Sequence, residues 1–209
     1  MNVTRRDLLR GIAAALERHL TPVLADGEFR LTRRDHTYSR DRGGVVQTLA
    51  VGIASRPPSL GRTGILIEPV LAVKVPAWRV EAERRLRDAP TLASPEHPGG
   101  VVFGLLDWLT AGKAPHWTLP DVPTRADIEP VAIDLGGVVK AVAVPRFEMF
   151  QSPDAILSAI ETGQFRPLDA DRFTIACGAI LEGRRDLAAD LIASMGRSRR
   201  EGLAAALGV

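Results

Sequence analysis

The stretch between Glu28 and Val75 constrains the fold most, because its apolar side chains alternate with polar ones over short segments separated by turns. A period of two residues places alternate side chains on opposite faces, as in a half-buried strand. The run from Val45 to Ala54 is rich in β-branched residues, which predicts a central strand. We therefore expect three or four antiparallel strands in this stretch.

The clearest of these strands follows a loop rich in proline and glycine at residues 56–61. Glu68 and Lys74 lie on its polar face. Its apolar face consists of Ile65, Ile67, Leu71, Val73 and Val75. Pro69 is in register with that apolar face but has no N–H to donate to a neighbouring strand. The proline therefore predicts either an edge strand or a bulge.

Helical spacing of apolar residues predicts helices before and after the sheet. Thr4 and Asp7 resemble a capping box, so residues 4–21 should form the first helix, and a second should span residues 77–88. Ser152 followed by Pro153 is typical of a helix start. Two further helices should form an antiparallel pair around Gly183, with Phe173, Cys177, Ile180 and Leu181 facing inward.

Three other stretches complete the pattern. Val101 to Leu109 and His116 to Leu119 each predict an additional strand, and residues 197–209 predict a short helix. Residues 124–144 fit two structures. A capping box at Thr124 and apolar spacing favour a helix, whereas Pro130 and the Gly136-Gly137 pair favour a hairpin, and the local chemistry leans to the hairpin.

We expect an α+β fold in which an antiparallel sheet of about four to six strands packs against helices, with a helical C-terminal part. Residues 1–122 should contain a helix and the antiparallel sheet, and residues 123–209 a helical region that packs as one unit with the first. A chain of 209 residues suits one domain or one domain with an appendage. No apolar run approaches the roughly 18 residues of a membrane span, so we expect no membrane partner.

The basic residues are unusual, since only three of the 27 are lysine. Codon usage in a GC-rich genome explains this bias more simply than selection for bidentate phosphate contacts. The single cysteine, Cys177, excludes an internal disulfide and a cysteine-cluster zinc site, and its helical position predicts a buried, unreactive thiol. It is compatible with a reducing compartment. The start of the chain resembles a twin-arginine export signal, but its apolar stretch is short, so we expect a folded helix and a cytoplasmic protein.

Five side chains form the best candidate binding site of the sequence: Arg30, Arg34, His36, Tyr38 and Arg40. If they share one face of the sheet, they make a basic surface with an aromatic ring, which is typical of proteins that bind nucleic acid or phosphate. The simpler interpretation is the solvated face of an antiparallel strand pair, where such alternation is normal.

The sequence carries no recognisable catalytic or metal motif. The spacing of the four histidines, His19, His36, His97 and His116, does not place any two together on a helix, so we expect no metal and no other cofactor. His36 could act as an acid or base with a carboxylate that the sequence does not reveal. Catalysis therefore stays open, and a non-catalytic protein is favoured.

Two segments carry a resemblance to a known group. The segment GEFRLTRRDHTYSRDRGGVVQTLAVGI at residues 27–53 contributes Phe29, Tyr38, Arg40 and Gln47. The segment VAVPRFEMFQSPDAILSAI at residues 142–160 contributes Pro145, Phe147, Phe150 and Ser152. With the helix that precedes them, they resemble the uncharacterised DUF4304-like group of bacterial proteins. The resemblance implies that residues 124–144 are helical. It also implies a small cytosolic protein that binds a protein partner, as immunity proteins do.

Three functions follow from these observations. The first is a non-catalytic, cytosolic protein-binding module, with immunity-type partner binding as the specific form. The alternative is nucleic-acid or phosphate-ligand binding through the arginine-rich sheet face. The second alternative is an enzyme that uses His36. The sequence leaves the ligand, the partner and the oligomeric state open.

Overall fold

A computed structural model describes residues 4–88, 102–105, 117–195, 203–205 and 207–208. Within these residues the helices and strands follow in the order α1 (Arg5–Ala25), β1 (Arg30–Thr32), β2 (Thr37–Arg42), β3 (Val45–Ser55), β4 (Ile65–Lys74), α2 (Pro76–Asp88), β5 (Val102–Leu105), β6 (Trp117–Leu119), α3 (Arg125–Val138), α4 (Val144–Met149), α5 (Pro153–Glu161), α6 (Arg172–Leu181) and α7 (Arg185–Ala193). A 3-10 turn at Pro58–Leu60 lies between β3 and β4, and a π-helical segment at Val139–Ala143 joins α3 to α4.

The described strands form one antiparallel sheet with the order β1-β2-β3-β4-β5, and β6 pairs with β4. In the pairing of β1 with β2, Leu31 lies opposite Tyr38. In the pairing of β4 with β6, Ile67 lies opposite Trp117. The prediction of an α+β fold with an antiparallel sheet and a helical C-terminal part is confirmed.

The alternation that predicted the sheet is present in β3, where buried and half-buried residues alternate from Val45 to Val51. In β4 the opposite face is also partly buried, at Leu66 and Ala72. Ile65, Ile67, Leu71 and Val73 are all buried, as predicted for the apolar face of β4. The prediction of an edge strand at Pro69 is wrong, because β4 has a neighbouring strand on each side. The pairs between β4 and β6 end at Ile67, two residues before the proline, so its missing N–H breaks none of them.

Helix α1 begins where it was predicted and ends later. The Thr4 side chain caps it by accepting a hydrogen bond from the Asp7 N–H at 3.2 Å. The predicted end at residue 21 is wrong, because the helix continues through Pro22 to Ala25. Pro22 and Arg18, the residue four positions earlier, are both exposed, so water can replace the N–H that proline lacks.

Residues 124–144 are helical, so the hairpin favoured by local chemistry is wrong and the helix implied by the resemblance is correct. The Thr124 N–H donates to the Asp127 carboxylate at 2.7 Å, which completes the predicted capping box. Pro130 is exposed on α3. Gly136 has a packing role, since a β-carbon there would lie 3.4 Å from the backbone oxygen of His19 on α1.

The chain divides into two compact units. The first comprises Met1–Arg40, Thr48–Leu71 and Gly104–Glu148, and the second comprises Asp41–Gln47, Ala72–Phe103 and Met149–Val209. In the first unit α1 packs against α3, and α3 contacts β6. Trp117 of β6 is buried and donates its indole N–H to Asp134 of α3 at 2.9 Å. The division expected at residues 122 and 123 stays a prediction.

In the second unit α6 packs against α2, α5 and α7, as expected for the helical hairpin and its neighbours. Ser152 caps α5 by accepting from the Ala155 N–H at 3.1 Å, as predicted. The inward position predicted for Leu181 is wrong, since its side chain is 51% exposed. Leu181 is the last residue of α6, two positions beyond Ala179, where the buried part of the helix ends.

Several predictions fall outside the described residues. These are the strand residues 101, 106–109 and 116, the loop after α2, and most of the C-terminal tail, of which residues 203–205 are helical. In the part of the chain that the structure describes, no helix combines the length and the apolar character needed to cross a bilayer.

Candidate functional site

The five residues of the predicted basic face do not share one face. Arg30 pairs with Ser39, and its neighbour Leu31 pairs with Tyr38. Because directly paired residues point to the same side of a sheet, Arg30 and Tyr38 point to opposite sides. The prediction of one shared face is therefore wrong. Tyr38 and Arg40 are buried, whereas Arg30 is exposed.

Arg40 is occupied by contacts within the protein. One guanidinium nitrogen donates to the Gly27 carbonyl at 2.7 Å, and another donates to the Glu148 carboxylate at 2.7 Å. The guanidinium also lies 4.7 Å from the centre of the Phe29 ring. The centre of that ring lies 4.9 Å from the centre of the Phe147 ring. With 3% of its side chain exposed, Arg40 joins β2 to the turn after α1 and to α4.

Tyr38 and His36 offer little room for a ligand. Burial raises the pKa of Tyr38, whose hydroxyl lies 3.2 Å from the Thr21 hydroxyl. His36 is half-buried in the turn before β2, with a positive φ of 47°, and Arg34 is exposed in the same turn. His36 lines a cavity of about 10 Å³ together with Glu17 and Tyr38. That volume accommodates about one water molecule.

A histidine and a carboxylate do meet elsewhere, in a pair that the sequence did not reveal. His19 Nε2 of α1 lies 2.7 Å from the Glu129 carboxylate of α3, and Arg18 donates to the same carboxylate at 3.1 Å. The hydrogen bond with His19 is the main cause that lowers the pKa of Glu129, and the Arg18 charge adds to it. The residues are 110 positions apart, so no local spacing indicated the pair. Its geometry links the two helices.

A cleft of about 270 Å³ with charged walls lies in the first unit. It lies between the first turns of α1, the end of β3 and the residues that follow β6. We name it the α1 cleft, and it is lined by Thr4, Arg5, Leu8, Leu9, Ser55, Arg56, Ile65, Asp121 and Val122.

Two arginines and one aspartate give the α1 cleft its charge. Arg5 donates a hydrogen bond to the Ser55 hydroxyl. Arg56 donates to the Asp121 carboxylate at 3.3 Å, and the Gly64 N–H donates to the same oxygen at 3.1 Å. Two positive charges and one negative charge leave the lining with a net charge of +1.

Arg56 occupies a backbone conformation that favours glycine. Its φ is 55°, in the left-handed region where a residue with a β-carbon is strained by about 1–3 kcal/mol. Its N–H donates to the Gly64 carbonyl at 2.7 Å, which closes the loop between β3 and β4. An arginine is thus held at a position where glycine would fit with less strain, and its side chain lines the α1 cleft.

Apolar side chains form the rest of the α1 cleft. Leu8 and Leu9 of α1 are half-buried, and Ile65 of β4 is buried. Val122 lies at the cleft and is 76% exposed, which is unusual for a large aliphatic side chain. The cleft therefore combines an uncovered apolar surface with arginine donors.

Sequence reasoning could not assemble this cleft, because its members come from segments 50 to 65 positions apart. The described residues hold no group of three or more histidine, cysteine or acidic side chains that could bind a metal ion. Comparisons with protein-family models, curated proteins and solved structures find no match to the chain.

Proposed function

We propose that the protein is a non-catalytic binding module that recognises an acidic group of a protein partner in the α1 cleft. The observation that carries this proposal is that Arg5 has no acidic partner in the part of the chain that the structure describes. Among the described residues its guanidinium contacts the Ser55 hydroxyl and no carboxylate, so its charge is available to an anion. Arginine suits this role because its planar donors can bind a carboxylate or phosphate with two hydrogen bonds.

The chemistry of the lining supports binding and not catalysis. The described residues that line the α1 cleft include no histidine, cysteine or lysine that could act as a base or a nucleophile. The Asp121 carboxylate accepts hydrogen bonds from Arg56 and from the Gly64 N–H. The Ser55 hydroxyl faces a permanently charged arginine, which cannot remove its proton.

From the resemblance to the DUF4304-like group we also propose that the protein is bacterial and cytoplasmic and that its partner is of the immunity type. The buried free thiol of Cys177 is compatible with a reducing compartment.

A pull-down from the native host with the full chain tests the proposal. We expect a partner in stoichiometric amount, and we expect Arg5→Glu to lose it because the cleft then carries a negative charge. Arg30→Glu is the matched control, since Arg30 is an exposed arginine of β1 that does not line the cleft. Failure to recover a partner, or equal loss with both variants, would contradict the proposal.

A second candidate function is nucleic-acid or phosphate binding through the hairpin of β1 and β2. Arg30 and Arg34 are exposed there, and no described acidic residue pairs with either. Affinity for DNA or RNA should fall between 50 and 200 mM salt, and Arg30→Ala with Arg34→Ala should reduce that dependence. Salt-independent binding would exclude this candidate. An enzyme that uses His36 gains little support, since its cavity holds about one water molecule.

A further inference from the structure

We propose that the α1 cleft binds the C-terminal carboxylate of a partner chain that ends in an aliphatic residue. This inference rests on the proposed function and specifies the chemical group that the cleft recognises. It follows from three properties of the lining: its net charge, its apolar wall and its volume.

The net charge favours a ligand with one negative charge. Arg5 and Arg56 supply two positive charges, and Asp121 removes one of them. A carboxylate matches the remaining single charge. A phosphate carries about two negative charges at neutral pH, so it would meet the Asp121 carboxylate without a cation to balance its second charge.

The apolar wall favours a carboxylate that is attached directly to an aliphatic group. Leu8, Leu9, Ile65 and Val122 line the same cleft as the two arginines. A terminal leucine, isoleucine or valine presents its carboxylate and its side chain from one α-carbon, so both can enter together. An internal aspartate or glutamate presents only one or two methylene groups beside its carboxylate, which is less apolar surface than a leucine, isoleucine or valine side chain offers. Each CH₂ group buried against the wall adds affinity through the hydrophobic effect.

The volume is consistent with this ligand. About 270 Å³ is many times the roughly 10–15 Å³ that a cavity needs to hold one water molecule, and thus exceeds the needs of a carboxylate alone. Recognition of a C-terminal carboxylate and recognition of acidic groups by arginine are both established modes of peptide recognition.

Titration calorimetry of the full chain with three N-acetylated tetrapeptides tests the inference. They are identical except at the terminus, which is leucine with a free carboxylate, leucine amide, or glycine with a free carboxylate. We expect the leucine acid to bind at least tenfold more tightly than the amide and at least fivefold more tightly than the glycine peptide. Inorganic phosphate should bind more weakly than the leucine acid.

Variants of the cleft provide the second part of the test. Arg5→Gln should weaken binding of the leucine acid at least tenfold and leave the amide unchanged. Arg6→Gln, on the exposed next position of α1, is the matched control and should change binding less than twofold. Arg56→Gly removes the second guanidinium while relieving the strained φ, so it should fold and still bind more weakly.

The outcomes separate the two proposals. If phosphate binds more tightly than the leucine acid, or if the amide binds equally well, the proposal of a C-terminal carboxylate is wrong. The proposal that the cleft binds a protein partner then stands. If no peptide binds although the pull-down recovers a partner that Arg5→Glu loses, the inference is also overturned. If Arg5→Gln has no effect on peptides and Arg5→Glu has none on the partner, both proposals fail.

Discussion

A β-carbon added to Gly178 of α6 would lie 2.1 Å from the ring carbon Cδ2 of Trp78 on α2, so glycine alone lets the two helices meet at this point. Trp78 is fully buried, and its indole N–H has no acceptor among the described residues. The ring is therefore held by the shape of the surrounding side chains and not by a directional bond.

We expect Gly178→Ala to lower the free energy of unfolding by about 1–3 kcal/mol or more, because the new methyl group must displace a ring that has no free space beside it. Urea denaturation measures this change. Gly137→Ala on α3 is the matched control: Gly137 is exposed and has no atom within 4 Å of its added β-carbon. That substitution should stabilise the protein by about 0.5–1 kcal/mol. Equal effects of both substitutions would contradict the packing role of Gly178.

The two arginines Arg40 and Arg30 should respond differently to lysine. In Arg40→Lys one ammonium group replaces a planar fork that reaches both the Gly27 carbonyl and Glu148, so we expect a loss of about 1–3 kcal/mol in the free energy of unfolding. Arg30→Lys, on the exposed side of the same hairpin, should stay within about 0.5 kcal/mol. Thermal or urea unfolding compares them, and a similar small effect at both positions would show that the Arg40 contacts contribute little.

Glu81 should make stability depend on pH in the acid range. Hydrogen bonds from Arg84, at 2.8 Å, and from Arg85, at 2.6 Å, lower the pKa of Glu81 to about 2 from 4.5, although burial opposes the shift. Since folding favours the ionised form, this stabilisation is complete above pH 4.5 and is lost as the pH falls toward 2. The difference in unfolding free energy between the native protein and Glu81→Gln should therefore shrink across that window.

Arg84→Gln tests the cause of that pH dependence. Because the hydrogen bond from Arg84 is the largest cause of the lowered pKa, this variant should also flatten the stability profile below pH 4.5. The double variant with Glu81→Gln should flatten it no further. A profile identical to that of the native protein would assign the acid dependence to other groups.

The single thiol should report unfolding. Cys177 is buried on α6, and burial raises its pKa to about 12, so little thiolate forms at pH 8. We expect a disulfide reagent to label native Cys177 only at the rate at which the protein opens, and to label it at once in urea. Ala193→Cys in a Cys177→Ala background is the exposed control and should react within seconds. Rapid labelling of the native thiol would refute its burial.

The strands could be predicted because burial on one face leaves a period of two in the sequence, as in β3 at Val45, Leu49 and Val51. The face on which a polar residue lies could not be predicted in the same way. Tyr38 and Arg40 have the spacing of a solvated face, yet both turn inward. Partners as far away as Glu148, 108 positions later, make the burial of Arg40 favourable, and no local pattern contains that information.

The helical stretch at residues 125–149 shows that local sequence also cannot predict whether a proline or glycine will end a helix. Pro130 disfavours a helix locally, but it is exposed, where water can satisfy the carbonyl left without a donor. Gly136 disfavours a helix by its entropy, but it permits the close approach to His19. The α1 cleft was equally hidden, because Arg5 and Arg56 come from distant segments of the sequence and meet only in the lining of the folded cleft.

The distance in sequence between Arg40 and Glu148 also has a consequence during biosynthesis. At about 5–20 residues per second, a ribosome adds Glu148 roughly 5–20 s after Arg40. Until then the nascent chain carries this guanidinium without the carboxylate that later neutralises it. The hairpin of β1 and β2 must therefore stay hydrated for seconds, until Glu148 has been added and the first unit can close around Arg40.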